Sequence, residues 1–159
     1  MKAGELIRAI VIVLIGIALM LGLQPWLFVS ETIFLADVDL REWVPRYAIG
    51  TWIVMGTTLL VTLIWFLVTS FYKSRGGHAD PIWRVWWFVL LFFPVIAICI
   101  ALYFFNPNPQ APSRDALLWL AIFYPLDVLW IYWFSTVTST PRMFKYMPPL
   151  GLPIRQLIP

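Results

Sequence analysis

The sequence predicts an all-α integral membrane protein, a four-helix transmembrane bundle with both termini in the cytoplasm. The composition is 62% hydrophobic and only 12% charged, whereas soluble proteins average roughly half apolar and a quarter charged residues. A helix needs roughly 20 apolar residues to cross a hydrocarbon core of about 30 Å. Four stretches meet that length, at about 9–29, 47–70, 85–105 and 116–137. We therefore expect one transmembrane domain over 1–140 and a cytoplasmic tail over 141–159.

The distribution of basic residues gives the orientation. With both ends on one side of the membrane, that side holds eight Lys and Arg residues, and the other side holds three, Arg41, Arg46 and Arg114. Positive residues in short loops are retained in the cytoplasm, which places both termini there. We expect a bacterial inner membrane, with a thylakoid or other energy-transducing membrane as the alternative. The net charge of +3 then reflects topology and contact with anionic lipid, and no nucleic-acid partner is expected.

The first stretch follows Lys2 and Arg8, a pattern that also begins secretory signal peptides. No small-x-small cleavage site follows it, and the apolar run continues through Val29, so a retained anchor is the favoured interpretation. Pro25 is expected to bend or end this helix, because its ring removes a backbone donor and clashes with the preceding turn.

Small residues four apart predict where helices approach each other closely, since close packing drives helix association in lipid. In chain order these pairs are Ala18 with Gly22, Thr58 with Thr62, Ala97 with Ala101, and Thr136 with Thr140. Within the third stretch, Pro94 is expected to kink the helix and to free a carbonyl.

Asp127, in the fourth stretch, is the ionisable residue deepest in a span. A carboxylate near the bilayer centre costs at least ~2.5 kcal/mol, so it should face the bundle interior, be protonated or find a partner. We expect its companion to be a hydroxyl such as that of Thr57, Thr58 or Thr62, a tryptophan N–H, or a cation from a different subunit, and Tyr124 is a further candidate contact. One interpretation is a proton or cation carboxylate, or a partner contact, and the other is packing by a cross-bundle hydrogen bond. Tyr124 and Pro125 either open the helix before the acid or, as favoured, only kink it.

The aromatic residues are those expected at membrane interfaces and require no cofactor. A lipid, quinone or pigment stacked among Trp119, Trp130 and Trp133 is kept as an alternative, because planar rings stack on planar ligands. The single histidine, His78, excludes a bis-histidine haem within one chain, and the single cysteine, Cys99, excludes an intramolecular disulfide. No metal site is predicted.

The tail combines five prolines, three basic residues and no acid with many apolar side chains. Disordered tails are usually poor in apolar residues, because exposing them to water is unfavourable. We therefore expect the tail to dock on a partner or on the inner membrane surface. The residues expected to make this contact are Phe144, Tyr146, Leu150, Leu152, Ile154 and Arg155.

No Gly-rich phosphate loop, paired-histidine zinc motif or activated intramembrane serine is present, so no enzymatic activity is expected. The leading hypothesis is a small accessory subunit or assembly factor of a larger membrane complex, such as a photosynthetic or respiratory one. One alternative is a self-assembling proton or cation carrier or channel that uses Asp127. The other is a lipid-, quinone- or pigment-binding protein.

Overall fold

The computed structural model describes residues 3–33, 35, 39–71, 82–104, 114–140 and 154, and these contain helices and no strand. Helix α1 consists of Ala3–Ala18, a π-helical segment Leu19–Leu23, and Gln24–Val29. Helix α2 is Leu40–Phe71 and α3 is Ile82–Phe104. Helix α4 consists of Arg114–Val128, a second π-helical segment Leu129–Phe134, and Ser135–Ser139.

All four helices are long and apolar enough to cross a membrane, over Gly4–Val29, Leu40–Phe71, Ile82–Phe104 and Asp115–Ser139. The prediction of a multi-pass helical membrane protein is therefore confirmed. The spans end within two residues of their predicted ends, but α1 begins about five residues earlier than predicted, and α2 begins about seven residues earlier, at Leu40. The added turns carry Glu42 and Arg46, an exposed pair typical of a helix end in the headgroup region.

Helices α2 and α4 form the centre of the bundle, because each packs against the other three helices, and α1 and α3 flank them. Side-chain contacts join one end of every helix. Near the start of α1, Arg8 reaches the carbonyl of Thr138, and Trp65, near the end of α2, reaches Thr140. At the start of α3, Trp87 reaches Thr136. The helices therefore alternate in direction, and the chain enters α1 and leaves α4 at the same end of the bundle.

Neither Pro25 nor Pro125 ends its helix. The helix continues past Pro25 to Val29, so of the two expected effects, a bend or an end, the end does not occur, and a π-helical segment precedes the proline. There the N–H of Gln24 donates to the carbonyl of Leu19, one residue further back than in an α-helix. Pro125 lies inside the uninterrupted segment Arg114–Val128, so the alternative of a helix broken before Asp127 is wrong.

Helix α1 approaches a neighbouring helix closely at Gly16 and not at the expected pair of Ala18 and Gly22, both of which are exposed. A Cβ atom built on Gly16 would lie 2.5 Å from Cγ1 of Ile131 and 3.0 Å from Cδ1 of Trp130, whereas one on Gly22 would meet nothing within 4 Å. Helix α1 therefore packs on α4 through Gly16, at the π-helical segment of α4. The other three predicted pairs are buried, as expected: Thr58 and Thr62, Ala97 and Ala101, and Thr136 and Thr140.

Candidate functional site

Asp127 lies midway along the membrane-spanning part of α4, and only 5% of it is exposed. Its Oδ1 accepts a hydrogen bond of 2.7 Å from Nε2 of Gln24 on α1. Among the described residues no Lys or Arg forms an ion pair with this carboxyl group. Asp127 therefore faces the bundle interior and has a partner, which are two of the three outcomes expected from the sequence, and the partner is an amide.

Gln24 extends the contact to α2. The Oε1 atom of this buried side chain accepts a hydrogen bond from the phenol of Tyr47. The ring of Tyr47 is in turn nearly parallel to that of Tyr124 on α4, with centroids 6.3 Å apart and an angle of 14° between the planes. One polar chain thus joins α4, α1 and α2 and returns through the stacked rings to α4.

Three buried oxygen atoms beside this chain have no hydrogen-bond partner among the described residues: Oδ2 of Asp127, Oη of Tyr124 and Oγ1 of Thr51. Thr51 lies close to both tyrosine hydroxyls, and Asp127 is near enough to both tyrosines to interact with them electrostatically. We call these five residues, Gln24, Tyr47, Thr51, Tyr124 and Asp127, the Asp127 cluster. An unpaired polar atom in an apolar interior is costly, so three in one place require an explanation.

Both π-helical segments border the Asp127 cluster. Gln24 directly follows the segment Leu19–Leu23, and Asp127 lies two residues before the segment Leu129–Phe134. A π-helical turn adds one residue and rotates the side chains that follow it relative to those before it. Such turns occur frequently at functional sites.

The hydroxyls of Thr58 and Thr62 donate within their own helix and not to Asp127. Their hydroxyls donate to carbonyls of their own helix, at 2.6 Å to Val54 and 2.7 Å to Thr58. In an apolar interior a threonine satisfies its only donor most easily on the carbonyl one turn earlier, which leaves nothing to donate across the bundle. The expectation of these threonines as companions of Asp127 is therefore wrong, whereas Tyr124 does belong to the cluster.

The sequence analysis did not identify Gln24, Tyr47 or Thr51 as site residues. Gln24 could have been found, because it is the only amide side chain within the first apolar stretch. Tyr47 is one of the many aromatic residues that composition alone assigns to membrane interfaces, and Thr51 resembles the other threonines of α2. Their grouping depends on which faces of α1, α2 and α4 meet.

The three tryptophans proposed as a stacking surface have different surroundings. Trp119 packs against Phe123, with ring centroids 5.5 Å apart. Trp130 donates a 3.1 Å hydrogen bond to the carbonyl of Ile12 and stacks on Phe134, and Trp133 is half-buried in the following turn. Trp119 and Trp130 are about 16 Å apart along the helix axis at 1.5 Å per residue. The described contacts do not bring the three rings together around one ligand.

A second polar region lies at the end of α4. All six residues from Ser135 to Thr140 are buried, and several accept hydrogen bonds from other helices. Nε1 of Trp65 donates to Oγ1 of Thr140 at 2.9 Å, and Nε1 of Trp87 donates to Oγ1 of Thr136 at 3.2 Å. Arg8 donates to the carbonyl of Thr138 at 3.2 Å, which satisfies a carbonyl that the helix end leaves without a helical donor. We call this segment, Ser135–Thr140, the α4 terminus.

Most of the predicted docking residues of the tail lie outside the described residues, namely Phe144, Tyr146, Leu150, Leu152 and Arg155. Ile154 is described, and it is half-buried. His78 also lies outside the described part of the chain. Docking of the tail therefore stays a prediction.

The described residues contain no group of three or more His, Cys, Asp or Glu side chains that could hold a metal ion. The Asp127 cluster offers one carboxylate, one amide and three hydroxyls, which can bind a proton, water or a small cation by oxygen atoms. No protein-family model, curated protein or solved structure matches the chain.

Proposed function

We propose that the protein is a small accessory subunit or assembly factor of a larger membrane complex, and that its tail docks on a partner protein of that complex. The observation that supports this proposal is the burial of the whole α4 terminus, which directly precedes the tail in sequence. The bundle itself then acts as a membrane anchor that presents the tail at a fixed position.

The α4 terminus is held from three sides. Trp65 of α2, Trp87 of α3 and Arg8 of α1 all donate hydrogen bonds to it. Hydrogen bonds between spanning helices average ~0.6 kcal/mol and reach ~1.7 kcal/mol, so several together restrict the segment appreciably. A membrane helix that only had to end at the interface would not need a fully buried final turn.

A fixed starting point favours binding by the residues that follow it. Ordering a chain on a partner costs conformational entropy, and fixing the first residue of the segment lowers that cost. The prolines of the tail restrict its backbone further, and its apolar side chains supply surface that a partner can bury. Its Arg142, Lys145 and Arg155 suit an acidic rim on the partner or the anionic headgroups beside it.

Co-purification of the full-length protein in mild detergent tests this proposal. We expect one larger complex of defined composition, and its loss in a variant that ends at Thr140. A second variant, Thr140→Val, keeps the tail but removes the acceptor of Trp65, and we expect it to weaken the complex. Thr57→Val is the matched control, because the Thr57 hydroxyl bonds only to the carbonyl of Ile53 in its own helix.

A homo-oligomer that is unchanged by removal of the tail would contradict the proposal. It would favour the alternative of a self-assembling carrier or channel, for which Asp127 is the feature of interest.

A further inference from the structure

Three unpartnered oxygen atoms in the Asp127 cluster share one region of the bundle interior. Asp127, Tyr124 and Thr51 are each 5% exposed or less, and the free atoms are Oδ2, Oη and Oγ1. Thr51 lies beside both tyrosine hydroxyls, and Asp127 interacts electrostatically with Tyr124, but each of the three atoms is without a hydrogen-bond partner of good geometry among the described residues. Neighbouring polar atoms that form no hydrogen bond with each other are suited to bind a ligand between them.

The atom types and charge of the cluster indicate which class of ligand it would bind. All three free atoms are oxygens, the ligands preferred by hard cations. The carboxylate supplies a single negative charge, and the other two oxygen ligands are neutral. This total ligand charge suits a monovalent cation better than Ca²⁺ or Mg²⁺, because sites for those ions usually use several charged ligands. Among the residues that the structure describes, this buried carboxylate has no Lys or Arg partner, so its ionised form also requires a positive charge to offset its desolvation.

The hydrogen bonds around the site orient its carboxylate. Gln24 donates to Oδ1 and is itself held by the phenol of Tyr47, so Oδ1 is occupied and Oδ2 is the carboxylate oxygen left for a ligand. Outer groups that fix a ligand in this way commonly raise metal affinity. Helices α1, α2 and α4 each contribute to the arrangement, so an ion bound there would hold the three helices together.

We propose that the Asp127 cluster is a binding site for one monovalent cation, with Oδ2 of Asp127, Oη of Tyr124 and Oγ1 of Thr51 as protein ligands and Na⁺ as the ion to test. Gln24 and Tyr47 act as positioning residues. The site goes beyond the proposed accessory function and does not depend on the tail, so each proposal can fail without the other.

Thermal unfolding of the purified full-length protein tests the site. NaCl is titrated against choline chloride at constant total salt, because choline is too large for a site formed by three side chains. A ligand that binds the folded state raises the unfolding midpoint in a saturable way. We expect such a rise with Na⁺ and its loss in Asp127→Asn, which keeps the size of the side chain and the acceptor for Gln24.

Two milder variants keep the test decisive if Asp127→Asn fails to fold. Thr51→Val and Tyr124→Phe each remove one neutral ligand, and we expect roughly 10-fold or more Na⁺ to be needed for half of the stabilisation. Thr57→Val and Tyr103→Phe are their matched controls, since Thr57 bonds within its own helix and Tyr103 is exposed, and they should behave like the wild type.

Equal midpoints in NaCl and choline chloride would overturn the proposal. So would a Na⁺ response that survives in Asp127→Asn. A midpoint that changes with pH but not with the cation would also overturn it, because it would assign the positive charge at Asp127 to a proton.

Discussion

Substitution of Gly16 by alanine tests the packing of α1 on α4. The added Cβ would lie 2.5 Å from Cγ1 of Ile131, about 1 Å inside the optimal separation of roughly 3.5–4.0 Å between carbon atoms. Relief requires the buried side chain of Ile131 or the indole of Trp130 to shift, and the indole is held by its hydrogen bond to Ile12.

The expected magnitude follows from two opposing terms. Overpacking of a well-packed interior costs about 1–3 kcal/mol. Alanine is more favourable than glycine within a helix by up to about 1 kcal/mol, which offsets part of that cost. With that offset taken in full, we expect Gly16→Ala to lower the free energy of unfolding by up to about 2 kcal/mol. Gly22→Ala should leave it unchanged or raise it slightly, because nothing lies within 4 Å of the added atom.

Unfolding in mixed micelles by increasing fractions of sodium dodecyl sulfate measures this difference. Ile131→Ala removes the atom that the new Cβ meets, so in that background Gly16→Ala should cost clearly less, and a double-mutant cycle gives the coupling. Equal stabilities of Gly16→Ala and Gly22→Ala would refute the proposed approach of α1 to α4.

Two further predictions concern the α4 terminus. Trp65→Phe and Trp87→Phe should each lower the free energy of unfolding by about 0.5–2 kcal/mol, because each loses an interhelical hydrogen bond. Trp26→Phe, on the exposed face, should leave it unchanged. The same micelle titration measures these values, and equal values for the three variants would contradict the contacts. Arg8→Gln should lower the free energy of unfolding by about 0.3–1 kcal/mol, because a cation at a helix C-terminus interacts favourably with the helix dipole. The loss should be smaller for Arg46→Gln, because the ion pair of Arg46 with Glu42 is exposed.

The sequence was sufficient for the four spans and for the inward position of Asp127. Apolar length alone determines the spans, since lipid requires a continuous apolar helix. An isolated carboxylate in such a span must face protein, because the alternative is hydrocarbon. Both conclusions depend on the properties of the hydrocarbon core of the membrane and not on how the helices pack.

The partners of Asp127 could not be derived in the same way. Gln24 stands out in its apolar stretch, but whether it faces α2, α4 or lipid depends on the rotation of α1. That rotation is changed by the π-helical segment Leu19–Leu23, which has no clear sequence signal besides the following Pro25. The choice of Gly16 over Gly22 as the contact depends on the same rotation. The sequence therefore identifies candidate polar residues, and the packing selects among them.

Site-specific photo-crosslinking from the tail tests the central claim, that the bundle presents the tail to a partner protein. A photoreactive phenylalanine analogue replaces Tyr146 in the full-length protein and is activated in native membranes. The matched control position is Trp26, an exposed residue near the opposite end of the bundle. We expect Tyr146 to give one adduct of defined mass with a second membrane protein, and Trp26 to give only lipid adducts. Adducts only with lipid or with a second copy of this chain at Tyr146 would contradict the account.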